Sequence, residues 1–328
     1  MKYINIDYKV PFYNFALEEY LLTEAPEEDY VFFYIHIPSI IVGKFQNTIE
    51  EVNKDFVDSE NILVARRLSG GGAVYHDSGN LNFSFVQKVV KSDVNNFAKF
   101  TQPVIGALNN LGINAMLSGR NDIVVDDRKI SGNAQCYKNG RLLHHGTLLY
   151  NADMNYLIRA LKVKDLKIQS KGIKSVRSRV ANLIDYMDTP MDIYAFKNHL
   201  LNYLRQTGDI EELVLDDDVI EKIERRAMSH FSTWDWNWGI SPKYETEKTA
   251  KFECGIINVK MNIDKGCISD VKVFGDFFTS EDLGKLEGLL VGVKLNKEDL
   301  TNKLSSTDIG SYFNNLSNHE FIEFLISQ

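Results

Sequence analysis

RRLSGGGAVYHDSGNLNFSF, residues 66 to 85, is the stretch around which the chain is organised. Its second half alternates Leu81, Phe83 and Phe85 with Asn82 and Ser84, the period of two expected of a half-buried strand. In its first half Gly70, Gly71 and Gly72 remove three side chains in succession. Such a run opens backbone conformations closed to other residues and lets N–H groups converge on an anion. Arg66 and Arg67 precede it with planar, permanently charged donors suited to a phosphate or carboxylate. Taken alone the triple glycine is more simply an ordinary tight turn, because it matches neither the GxxxxGK(S/T) phosphate loop nor the GxGxxG fingerprint.

Outward from this loop the first half of the chain is strand-rich. Val31 to Ile37 is a nearly continuous apolar run of strand length. Pro11 followed by Phe12, Phe15, Ala16 and Glu19 marks a helix start, and Phe100, Val104, Leu108 and Leu111 repeat at helical spacing before Gly112 as a stop. Ile193 to Leu204 and Val219 to Met228 read as amphipathic helices that end near TWDWNWG, a domain edge. From about Lys251 the pattern changes. Phe252 to Ile263 and Cys267 to Phe274 read as strands joined by the turn Asp264-Lys265-Gly266, with helical segments after them. The expectation is an α+β protein with mixed sheets flanked by helices in a large domain, residues 1–245, and a small α+β domain, residues 246–328.

The chain has 328 residues, 44% hydrophobic and 25% charged, with a net charge of −8. That is a globular composition, and the acidic balance argues against a general nucleic-acid binder. Cys136, Cys254 and Cys267 form no CxxC pair, which suits a reducing compartment. The first residues carry no apolar export segment, and the most apolar stretch, Val31 to Val42, is broken by His36, Pro38 and Ser39. A cytoplasmic protein without a membrane span is expected.

Three further segments carry polar chemistry. GRNDIVVDDRKISGNAQ, residues 119 to 135, reads as a strand from Ile123 to Val125, a turn at Asp126 to Arg128 and a second strand from near Lys129. This hairpin brings Asn121, Asp122 and Lys129 together. A lysine there can neutralise a carboxylate or α-phosphate, and an acidic neighbour can hold Mg²⁺ on nucleotide phosphates; the plainer reading of Lys129 is a solvated surface charge. In LHHGTLLY, residues 143 to 150, His144 and His145 face opposite sides of a strand, so they do not share a metal. One can line a site while the other packs in the core. Arg159 to Arg179 holds eight basic residues against Asp165, a surface for phosphates or an acidic partner, or simply a solvated one.

Together these segments resemble the lipoate protein ligase family of the A type, whose members carry RRxSGGGAVxHDxGN, GRNDxVV, KxSG, HHGTLL and KGIxSVRSRVxNL in this order. Here they stand as Arg66 to Asn80, Gly119 to Val125, Lys129 to Gly132, His144 to Leu149 and Lys171 to Leu183. The resemblance implies a fold similar to biotin protein ligases. It implies ATP, Mg²⁺ and lipoate as ligands, with lipoyl-AMP formed first and the lipoyl group then passed to a lysine of an acceptor. The acceptors implied are lipoyl domains of 2-oxoacid dehydrogenase complexes or the glycine cleavage H protein. By the same resemblance Lys129 contacts carboxylate and α-phosphate; Arg67, Ser69, Gly70, Gly71, Gly72, Ala73, Val74 and Tyr75 hold the adenylate; and Asn121 and Asp122 lie in the nucleotide region, Asp122 as the Mg²⁺ ligand. TWDWNWG and the small domain are candidates for a closing lid. Two alternatives stand beside it: an ATP-independent lipoyl or octanoyl transferase using Cys136, and a non-catalytic lipoate or nucleotide sensor.

Overall fold

A computed structural model describes residues 1–161, 179–239, 244 and 246–327. In chain order the strands are β1 (Lys2–Ile4), β2 (Tyr30–Ile35), β3 (Ser39–Val42), β4 (Leu63–Arg66), β5 (Val74–His76), β6 (Asn80–Lys88), β7 (Met116–Ser118), β8 (Asp122–Val125), β9 (Arg128–Lys138), β10 (Arg141–Leu149) and β11 (Glu211–Leu213), then β12 (Thr246–Phe252), β13 (Gly255–Asp264) and β14 (Cys267–Gly275). Eight of them form one mixed sheet in the order β11-β1-β2-β6-β10-β9-β8-β7. Its β1 edge is parallel, and the pairs from β2 to β7 are antiparallel. A second sheet runs β4-β3-β5 and a third β12-β13-β14.

The large sheet is covered on both faces. Val31, Phe33, Leu81, Phe83 and Phe85 pack with Val104 and Leu108 of the Phe97–Asn110 helix and with Phe196 and Leu200 of the Ile193–Thr207 helix. On the opposite face Tyr30, Phe32 and Tyr34 meet Phe15, Leu17 and Leu21 of the Pro11–Thr23 helix. Pro11 is the first residue of that helix, where its missing N–H removes nothing. A helix on each face leaves β6 buried on both sides, so the expected half-buried strand is corrected. Asn82 and Ser84 point into a second buried layer rather than to water: Asn82 Nδ2 donates to the Tyr34 carbonyl and Ser84 Oγ to Glu18. Polar residues alternate here because they face this buried polar layer.

A separate core is built from Cys254 onward by β12 to β14 and the helices Leu283–Leu290, Lys297–Leu304 and Asn318–Ile326, with Phe45 packed against it. The sequence reading of one strand from Phe252 to Ile263 is corrected, because Phe252 pairs with Gly255 and the chain reverses at Glu253-Cys254. The Asp264-Lys265-Gly266 turn joins β13 to β14 as expected. Most of the KGIxSVRSRVxNL segment and of the basic run from Arg159 to Arg179 lies outside the described residues.

Candidate active site

The small sheet β4-β3-β5 and the loop after β4 lie against the face of the large sheet that carries the Pro11–Thr23 helix, and between them is a cavity of about 140 Å³. Phe15, Tyr34, Ile41, Ala73, Val74 and Ala134 supply apolar wall. Arg67, His76, Asn82, Asn121, Lys129, Asn133, His145 and Thr147 supply polar groups. Polar groups converging against an apolar wall are the signature of a small-molecule site.

Lys129 is aimed here by two local devices. A register shift at Ile123/Val124 gives β9 an extra residue after Lys129, and such bulges re-aim side chains. Gly132 leaves the room: a Cβ there would lie 3.0 Å from Lys129 Nζ. The amine pairs with Asp122 Oδ1 at 2.8 Å, the two side chains being 36% and 38% exposed. At that exposure the pair contributes about 0–1 kcal/mol to stability. The hairpin expectation holds for Asn121 too, whose Nδ2 donates to the Asn133 carbonyl at 2.5 Å while Asn133 Nδ2 returns a bond to Asn121.

The arginines differ from expectation. Arg66 is fully buried and does not line the cavity: Nε donates to Trp236, Nη1 to Gly43, Lys44 and Gln46, and Nη2 to Thr48 Oγ1. Trp236 Nε1 donates back to Arg66, and Asn237 Oδ1 accepts the Arg66 amide. The TWDWNWG segment, a lid candidate from sequence, is thus a strut locked to β4. Arg67 does line the cavity, but it folds its own loop, donating to Ser69 Oγ and to the carbonyls of Ile41, Gly70 and Gly72. Burial lowers both guanidinium groups to about 10.

The charge on Arg67 is answered through a buried relay. Arg67 Nε donates to Ser69 Oγ at 3.1 Å, Ser69 Oγ lies 2.6 Å from His145 Nε2, and His145 Nδ1 lies 2.9 Å from Glu18 Oε1. Glu18 also accepts from Tyr34 and Ser84. An acceptor-only carboxylate fixes the imidazole hydrogen on Nδ1, so Nε2 accepts from Ser69. Glu18→Gln is therefore expected to cost about 3 kcal/mol by leaving Arg67 without its opposing charge; an unchanged urea midpoint would contradict that balance. On the other face of β10, His144 packs against Phe83, Phe97 and Phe100 and receives Gln135. One histidine lines the site and the other is core.

The triple glycine serves packing as well as any ligand. A Cβ on Gly70 would lie 2.1 Å from the Phe277 carbonyl oxygen, Gly71 has φ +93°, and the Gly71 N–H donates to that carbonyl at 3.3 Å. The segment after β14 is thereby admitted to the site, where Phe278 forms part of the cavity wall under the Arg120 guanidinium, 4.5 Å from the ring centroid. Of the loop residues named from sequence, Arg67, Gly71, Gly72, Ala73 and Val74 line the cavity, while Ser69 and Gly70 support it from behind. Tyr75 faces away, stacked on Tyr156. Asp122 reaches the site through Lys129. Cys136 does not line the cavity and packs beside Leu143, where burial pushes its thiol up, which disfavours it as a nucleophile. Among the described residues no group of three or more His, Cys, Asp or Glu is placed to hold a metal ion.

Phe278, His76, Asn133 and Glu18 were not singled out from sequence. Glu18 did leave a signal, a carboxylate at helical spacing from Phe15 and Leu22 on a buried face.

Residues 10–205 match the lipoyl protein ligase A/B catalytic domain, and residues 241–325 match the bacterial lipoate protein ligase C-terminus. The chain is 46% identical to lipoate-protein ligase LplJ of Bacillus subtilis over 96% of each chain. It is 47% identical to lipoate–protein ligase 1 of Staphylococcus aureus, covering 99% of this chain and 100% of that one. The structure of P. falciparum LipL1 in complex with lipoate superposes with TM-score 0.81 at 25% identity, covering 100% of this chain and 99% of that one. A lipoate-protein ligase A bound with ATP superposes at 0.63 with 28% identity, covering 73% and 98%. A bipartite lipoate protein ligase from Thermoplasma acidophilum, studied with its E2 lipoyl domain, superposes at 0.66 with 31% identity, covering 75% and 98%. With both halves matched in chain order over nearly its whole length, the chain belongs to the lipoate protein ligase family.

Proposed function

We infer that this chain is an ATP-dependent lipoate protein ligase. The observation that carries the chemistry is the placement of the partly exposed Lys129 amine in the lining of a largely apolar cavity, with Arg67 buried in its wall. The lipoate carboxylate attacks the α-phosphorus of ATP, the bond to the β-phosphate breaks, and lipoyl-AMP and pyrophosphate result. Lys129 and Arg67 oppose the charge that gathers on carboxylate and phosphate, which is most of what such a transfer asks of a protein. Asn121, fixed by Asn133, borders the nucleotide, as do Gly71, Gly72, Ala73 and Val74, held in place by Ser69, Gly70 and Tyr75. Asp122 is the side chain that would hold Mg²⁺ carried on the phosphates, where the ion adds charge neutralisation; one carboxylate suits a cation that keeps phosphate and water ligands.

In the second step an acceptor lysine attacks the acyl carbon, forming the amide and releasing AMP. Lipoyl-AMP must meanwhile be kept from water, and Phe278 over the cavity supports residues 246–328 as an accessory unit that closes on the catalytic unit, residues 1–245. The acceptors proposed are lipoyl domains of 2-oxoacid dehydrogenase complexes and the glycine cleavage H protein. The unpaired cysteines suit the cytoplasm, and no described helix is long and apolar enough to cross a membrane. Incubation with ATP, lipoate and each acceptor, followed by intact mass, should show one lipoyl addition per acceptor. No addition to any acceptor by folded protein would count against the reading.

A further inference from the structure

Half of the Asn133 amide goes unused. The side chain is buried, and its Oδ1 has no hydrogen-bond partner among the described residues. The amide cannot be turned over to satisfy that oxygen: Nδ2 lies 3.0 Å from the Asn121 carbonyl, which can only accept, and 3.2 Å from Ser131 Oγ. Oδ1 rests instead against Gly146, opposite on β10, where a Cβ would lie 2.3 Å from it. A buried carbonyl without a donor is destabilising, so the residue at this position answers to something other than stability.

What it answers to is visible in the bonds of Nδ2. The β8–β9 ladder ends at Asp122, paired with Gly132. One residue further out, the Asn133 N–H and Nδ2 both donate to the Asn121 carbonyl at 3.0 Å, and Asn121 Nδ2 donates to the Asn133 carbonyl at 2.5 Å. Side-chain amides thus carry the pairing one step past the strand, and Asp122 is held inside it rather than at a fraying end. Asp122 Oδ1 in turn holds the Lys129 amine at 2.8 Å, with Nζ lying over Gly132. Asn133 has no donor left for a ligand, since its N–H and both amide hydrogens are taken.

We propose that Asn133 is a positioning residue for adenylation, bracing Asn121 so that Asp122 keeps the Lys129 amine in its place over Gly132. The inference rests on the ligase reading above, in which Lys129 opposes the charge on carboxylate and phosphate. Displacing such a group by about 1 Å slows a reaction severely although no contact between the mutated residue and substrate is lost. Truncation removes the two Nδ2 hydrogen bonds and the unsatisfied oxygen together, so stability should change little while the chemical step slows.

Single-turnover formation of lipoyl-AMP by Asn133→Ala should be slower by about tenfold, with half-saturation in lipoate and ATP shifted less than about twofold and a urea midpoint near the native one. The decisive comparison is the double substitution. Because Asn133 acts through Lys129, adding Asn133→Ala to Lys129→Ala should slow the residual reaction by less than about twofold. A full tenfold loss in that background, or native rates from Asn133→Ala alone, would overturn the assignment while leaving the ligase reading intact. Should the variant fail to fold, the native protein still decides the matter by NMR. The Asn133 side-chain amide should exchange its hydrogens with solvent far more slowly than an exposed asparagine, and exchange at the exposed rate would show that the brace is not made. Absence of lipoyl-AMP from native enzyme would remove both readings.

Discussion

Lys129→Ala is expected to lower lipoyl-AMP formation by about 10²–10³-fold, the usual consequence of removing one preorganised charge from a transition state. The same substitution should leave stability almost untouched. Lys129 and its partner Asp122 are both more than a third exposed, and the bond between them is worth about 0–1 kcal/mol in that setting. The split between the two readouts is informative: a structural lysine would lose stability, a sensor's lysine would lose affinity for ligands it never joins. Single-turnover formation of lipoyl-AMP, read beside urea unfolding, measures both. Normal adenylate yield from the variant would remove Lys129 from the role assigned to it.

Stability should fall steeply between neutral pH and about pH 5. His76 and His144 are buried with their basicity pushed down to about 3, and His36 is held well below its usual range, burial being the leading cause for each. In the unfolded chain these rings take up protons near pH 6.5, so below that value the unfolded state binds more protons than the folded one and unfolding becomes easier. The stability they hold is present above about pH 6.5 and is lost as pH falls towards 3. At pH 5 the loss is about 2 kcal/mol for each of His76 and His144, and His36 adds in the same direction. Asp77, raised by burial, works the other way but is a single group. A loss on the order of 4 kcal/mol is a large part of the 5–15 kcal/mol that holds a typical domain. Urea unfolding at pH 7.5 and pH 5.0 should show it, and His144→Phe should flatten the dependence. Equal unfolding free energies at the two pH values would contradict the neutral, buried state of these rings.

Much of the fold was legible because its elements carry local signals. Pro11 opens a helix, Gly112 follows the end of the Phe97–Asn110 helix, and Asp264-Lys265-Gly266 turns a hairpin. What failed was the inference from polarity to solvent. Asn82 and Ser84 alternate as surface residues would, yet they face a buried polar layer, which only the tertiary covering of β6 reveals. The same failure applies to Arg66. Two adjacent arginines read alike in sequence, but strand alternation sends Arg66 into the Trp236–Asn237 strut and Arg67 to the cavity. Phe278 was illegible for a different reason: it lies about two hundred residues from the loop it covers, and only the close approach at Gly70 and Gly71 records their meeting. The Lys129 hairpin was legible because both of its strands lie within one short segment.

Lipoate-dependent exchange of labelled pyrophosphate into ATP tests the adenylation reading most directly, since it requires reversible formation of lipoyl-AMP and no acceptor protein. Folded enzyme with ATP, Mg²⁺ and lipoate should catalyse exchange, and omission of lipoate should abolish it. Lipoylation of an acceptor domain without any exchange, or no exchange at all, would contradict activation through an adenylate.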